Sequence, residues 1–93
     1  MKDTTTVCAR PQNISQDLGE ESVILDLDAG VYYGLNCVGS TVWRLIQTPR
    51  TFAELRDVVI AEYEIDAERC ARDLRELLST LERRGMIEIA ESA

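Results

Sequence analysis

Ninety-three residues, 45% of them hydrophobic, suffice for one buried core and not for two. The 17 acidic residues outweigh the 10 basic ones to a net charge of −7, a field that repels phosphate backbones and favours basic partners, so nucleic acid is disfavoured. No apolar run reaches the ~18 residues of a membrane span, the start Met1-Lys2-Asp3-Thr4 lacks the charged-then-apolar pattern of a secretion signal, and the chain reads as cytoplasmic with no membrane partner.

Met1 to about Arg10 is polar and threonine-rich, a partly ordered segment or a short first strand around Val7 to Ala9. Pro11 to Glu21 holds proline, asparagine and glycine among polar residues, which is turn or loop chemistry. From Ser22 to Asp28 the chain alternates, with Val23, Leu25 and Leu27 on one side and Ile24, Asp26 and Asp28 on the other, the two-residue period of a half-buried strand. Asp28-Ala29-Gly30 offers a turn in which glycine takes a positive φ, and Val31 to Leu35 forms the second arm of a hairpin.

Asn36 is placed to cap a first helix whose inner stripe is Val38, Val42, Leu45 and Ile46, with Trp43 at its margin; Thr48-Pro49-Arg50 ends it. Thr51-Phe52-Ala53-Glu54 has the form of a capping box, and Phe52, Leu55, Val58, Val59 and Tyr63 trace the stripe of a second helix running to about Glu62. Asp66 caps a third, longer helix with Cys70, Ala71, Leu74, Leu77, Leu78 and Leu81 on its apolar face and Gly85 just past its end. Met86 to Ile89 suits a short closing strand. The pattern is α+β, a small antiparallel sheet of two to three strands followed by three helices that cover one of its faces.

Catalytic machinery is hard to find. Cys8, Cys37 and Cys70 are odd in number and widely spaced, and no histidine accompanies them, so neither a disulfide framework nor a metal-ligand spacing emerges; reduced thiols packed as small hydrophobes account for them. A nucleophilic thiol would lack an imidazole base. The five glycines form no phosphate-cradling loop, and the acidic pairs Glu20/Glu21 and Asp26/Asp28 read as solvated surface. No enzyme activity, metal or cofactor is expected. The arginines Arg69, Arg72, Arg75, Arg83 and Arg84 would suit a DNA-recognition helix, but Glu68, Asp73, Glu76 and Glu82 are interleaved at three- and four-residue offsets, so ion pairs on a solvated face explain the same residues. A sheet of two or three strands, however, leaves an edge of unpaired N–H and C=O groups, and such an edge accepts an extended peptide as an added strand.

A resemblance sharpens that reading. Leu25-Asp26-Leu27-Asp28-Ala29-Gly30-Val31-Tyr32-Tyr33-Gly34-Leu35-Asn36, then Gly39-Ser40-Thr41-Val42-Trp43-Arg44-Leu45, then Arg72-Asp73-Leu74 with Leu77-Leu78 and Leu81-Glu82-Arg83-Arg84-Gly85-Met86-Ile87 resemble the family of the pyrroloquinoline-quinone biosynthesis protein D, from Val23 to Ile87. Members include the leader-recognition domains of lasso-peptide pathways, and the Leu-Asp-x-Asp-x-Gly turn with the Gly-x-x-Val-Trp helix looks more like that branch than the quinone-cofactor branch with its Tyr-Pro-Glu-Gly turn. The recognition domain is placed at residues 11–93, and the resemblance implies a winged helix-turn-helix-like recognition element. It implies that a precursor's leader peptide lies as an added strand between the third strand and the third helix, for delivery to a separate leader peptidase, with a cyclase of the same pathway as a further partner. On this chain the rail would be Val31, Tyr32, Tyr33, Gly34 and Leu35; Arg69, Arg72, Asp73 and Glu76 would meet leader charges, and Leu74 and Leu77, with Leu78, would lie on the face that packs beneath. The alternative from another class is a DNA-binding winged-helix transcriptional regulator, and a third is a subunit that only stabilises a partner protease.

Overall fold

Backbone pairing in the computed structural model, which describes residues 1–91, sorts the strands into two antiparallel sheets. The chain runs β1 (Thr6–Ala9), β2 (Asn13–Leu18), β3 (Glu21–Asp26), β4 (Val31–Leu35), α1 (Cys37–Leu45), β5 (Arg50–Thr51), α2 (Phe52–Tyr63), α3 (Ala67–Arg83) and β6 (Ile87–Ala90). One sheet is the meander β2-β3-β4; the other has the order β5-β1-β6. The expected α+β, winged-helix-like class holds, with one sheet more than the strand pattern suggested.

Two of its strands match the short strands expected around Val7–Ala9 and Met86–Ile89, but the sheet itself was hidden because they pair far along the chain: Thr6 faces Thr51 on one side and Ala90 on the other. Val7, fully buried, anchors it to the core, and the Ala9 amide donates to the Ile46 carbonyl at 2.8 Å. The expectation of a loop from Pro11 to Glu21 is corrected: β2 pairs along its whole length with β3, from Asn13 opposite Asp26 to Leu18 opposite Glu21. The turn formers sit only at its ends, at Pro11 and at Gly19 with φ +74°. Between them Ile14 and Leu18 point to solvent, so the strand is held by its ladder and not by burial.

In β3 the inward side is Ser22, Ile24 and Asp26, while Val23 and Leu25 are only half-buried and the strand stops at Asp26, leaving Leu27 in the turn. Helix starts follow the sequence closely. Asn36 Oδ1 accepts from the Gly39 amide at 2.9 Å, Asp66 caps α3 through the Arg69 amide at 3.1 Å, and the Thr51–Glu54 capping box closes in both directions. Gly85, at φ +72°, turns the chain out of α3 into β6. One cluster joins both sheets and all three helices through residues such as Ile24, Leu35, Val42, Ile46, Phe52, Leu55, Leu78 and Met86. Trp43, expected at the margin of α1, is part of it at 3% exposure, because the helix packs on the sheet with a wider apolar face than its stripe implied.

Candidate functional site

The meander ends at β4, whose outer edge pairs with no strand among the described residues. Along such an edge alternate residues direct their N–H and C=O groups outward, a ladder open to a further strand. The register Ser22–Leu35, Ile24–Tyr33 and Asp26–Val31 puts Val31, Tyr33 and Leu35 on the inner side; Tyr32 and Gly34 lie on the outer side, where Tyr32 is 70% exposed. Leu35 is buried, Tyr33 half-buried against the core, and Val31 and Gly34 exposed.

Both ends of β4 are pinned. At its start the Asp26 carboxylate accepts from the Asp28 and Ala29 amides at 3.0 and 3.2 Å, and the Gly30 amide reaches the Asp26 carbonyl at 2.8 Å. Asp26 is therefore a buried turn-former and not the solvated acid that its pairing with Asp28 suggested. At the other end Asn36 passes the chain directly into α1.

Beyond that point lies a cavity of about 360 Å³ lined by Asn36, Val38 and Gly39 from the start of α1, Val59 and Ile65, and Arg69, Cys70, Asp73, Leu74 and Leu77 of α3. Four of the residues expected on the third helix, Arg69, Asp73, Leu74 and Leu77, thus come together on this cavity; Arg72 and Glu76 are exposed and do not line it. Its floor is apolar, with Leu74 buried and Leu77 half-buried, and its mouth carries the Arg69–Asp73 pair at 3.6 Å. Burial pushes the Cys70 thiol up, with Arg56 pulling the other way, so this thiol is held in its neutral form.

The arginines of α3 are less evenly paired than their spacing promised. Asp73 serves both Arg69 and Arg72, the latter at 3.8 Å, while Glu68, Glu76 and Glu82 form no ion pair with the arginines. Exposed pairs gain little over solvation, so other contacts compete. Arg75 lies over the Phe52 ring at 5.8 Å, and Arg84, one residue past α3, lies over the Tyr33 ring at 5.1 Å. The stacking of Arg84 on Tyr33 joins the end of α3 to β4, a contact between distant residues that no local pattern signals. Asn36, Val38 and Ile65 were legible as a cap or as apolar residues, but not as cavity walls.

The outer face of the meander is a second surface. Ile14, Leu25 and Tyr32 stand in one cross-strand row, flanked by Val23 and Leu18; Ile14 and Leu18 are more than half exposed. Residues 11–43 contain five acids, Asp17, Glu20, Glu21, Asp26 and Asp28, and no lysine or arginine. Exposed apolar area of this kind, rimmed by charge, marks contact surfaces.

Residues 21–87 match the family model described as coenzyme PQQ synthesis protein D (PqqD). Among solved structures the chain is similar to TbiB1 in complex with the TbiA(beta) leader peptide, at 31% identity and a TM-score of 0.82, covering 92% of this chain and 99% of that one. It also shares the fold of lasso peptide synthetase B1 complexed with the leader peptide, at 23% identity and a TM-score of 0.76, over 88% of this chain and 96% of that one. A search of curated protein sequences gave no significant match.

Proposed function

The chain belongs to the coenzyme PQQ synthesis protein D (PqqD) family, and on that premise we propose that it is a leader-peptide-binding adaptor for a ribosomally made, post-translationally modified peptide of the lasso class. The observation that carries this reading is the open edge of β4 beside an apolar cavity walled by α3. A leader segment added along Val31 to Leu35 gains main-chain hydrogen bonds from the edge and specificity from a side chain seated against Leu74 and Leu77. The similar protein TbiB1 was solved holding a leader peptide, and it is matched over nearly the whole chain.

The adaptor performs no bond chemistry; it raises the local concentration of precursor at a separate leader peptidase. The outer face of the meander, with Ile14, Leu25 and Tyr32 at its centre, supplies a surface for that enzyme. It shares β4 with the leader edge, and its acidic surroundings favour a partner whose contact face is apolar and rimmed by basic residues.

Titration of the ¹⁵N-labelled protein with synthetic lasso-precursor leader peptides tests the reading. Amides of Val31 to Leu35 and of the cavity wall should shift together. Leader-independent spectra, combined with shifts at those amides when the peptidase is added, would reassign the site to the enzyme. Tight binding of duplex DNA with a steep salt dependence, and none of leader, would favour the regulator instead.

A further inference from the structure

Resting on the leader-binding reading, we infer that Arg84 is the charge-selecting residue of the groove, and that it takes an acidic side chain of the bound strand at a fixed offset from the apolar side chain in the cavity. Arg69, Asp73, Leu77 and Arg84 follow one another at intervals of four, four and seven residues, which is one side of a helix continued into its cap. The first two pair with each other, and Asp73 also meets Arg72. Arg84 has no ion pair among the described residues; its guanidinium is exposed and steered by the Tyr33 ring to the middle of the open strand.

The strand side offers nothing positive, because residues 11–43 carry five acids and no base. An acidic side chain of the guest therefore meets no cation from the meander, and the arginine stacked on the middle of β4 is Arg84, which makes the preference positional. Its position follows from geometry. Leu77, on the cavity, and Arg84 are seven residues apart, about 10 Å along a helix axis. A guest strand laid along α3 covers that distance in about three residues. Both guest side chains must point to the same side, so the separation is even, two or four residues. The class recognised is an extended peptide with a large apolar residue and an aspartate or glutamate two or four positions apart.

Selection of a displayed library of random 12-residue peptides against the wild-type protein, Arg84→Gln and Arg84→Glu tests this. Wild type should enrich an acid at the even offset from an apolar anchor; Arg84→Gln should keep the anchor and lose the acid, and Arg84→Glu should replace the acid by lysine or arginine. For one enriched peptide, changing its acid to alanine should weaken binding to wild type about threefold to fivefold at low salt, and leave binding to Arg84→Gln unchanged. An anchor enriched without any acid, or the same acid enriched by all three proteins, overturns the role of Arg84 and leaves leader binding standing. Enrichment of no peptide by the wild type overturns both. Unchanged thermal unfolding of the variants shows that the shift in preference is not a folding defect.

Discussion

Replacing Asn36 by alanine isolates the joint between the open strand and the first helix. The Oδ1 of Asn36 takes the Gly39 amide at 2.9 Å, one of the donors that the first turn of α1 cannot satisfy by itself. Losing such a cap costs about 1 kcal/mol, and for a domain of this size each kcal/mol lowers the unfolding midpoint by roughly 4–8 °C. Asn36→Asp keeps the acceptor and puts a negative charge at the positive end of the helix, so its midpoint should stay within about two degrees of wild type, at most about half a kcal/mol. Thermal unfolding followed by circular dichroism at low salt reads both. The cap also fixes Leu35, since a Cβ at position 39 would stand only 3.1 Å from Leu35 Cδ2. Leader affinity of Asn36→Ala should therefore fall as the end of β4 loosens. Equal destabilisation by the alanine and aspartate variants, or by neither, would refute the capping account.

Leu74→Ala should cost about 2–5 kcal/mol, because Leu74 is 4% exposed and leaves a void in the core, whereas the half-buried Leu77→Asp should fold and lose leader affinity at least tenfold; chemical denaturation and fluorescence titration separate the two effects. Gly34→Pro removes an amide from β4 and should weaken leader binding far more than Arg44→Ala, which gives up an exposed 3.9 Å contact with Asp17 and a long 3.4 Å hydrogen bond to the Thr41 hydroxyl; Gly34→Ala, with no atom within 4 Å of its Cβ, is the control and should bind as wild type does. Glu54 has its carboxyl held below the usual glutamate value, first by the hydrogen bond from the Thr51 amide and then by the Thr51 hydroxyl. Its contribution is complete at neutral pH and disappears as the pH falls through the lowered folded value, so stability of the wild type below about pH 4.3 should decline more steeply than that of Glu54→Gln; equal slopes in urea melts across that range would sink this assignment.

Elements defined by local chemistry were legible in the sequence. Three helices were marked by Asn36, Thr51 and Asp66 as caps and by periodic apolar residues, and the β3–β4 hairpin by alternation around Gly30. Of the elements defined by distant partners, the short strands β1 and β6 were legible around Val7–Ala9 and Met86–Ile89, but their pairing was not. Nothing near Thr6 announces pairing with Thr51 and Ala90, and Arg50–Thr51 is too short to carry any period. β2 escaped because its apolar residues, Ile14 and Leu18, face outward, which in sequence looks like an unstructured stretch with incidental hydrophobes. The same blindness covers the site. Leu74 and Leu77 could be placed on one helix face, but their meeting with Asn36, Val38 and Ile65 is set by how α1 and the end of α2 pack on α3, and the seat of Arg84 on Tyr33 by the turn at Gly85.

Adjacent tyrosines on β4 point to opposite sides of the meander, and a polypeptide laid beside them inherits that parity. Its odd-numbered side chains would be screened by the helix, and its even-numbered ones would join the plane occupied by Ile14, Leu25 and Tyr32. A single leader would then be proofread twice, once by its carrier and once by whichever protein settles on the enlarged plane, with independent sequence demands interleaved residue by residue.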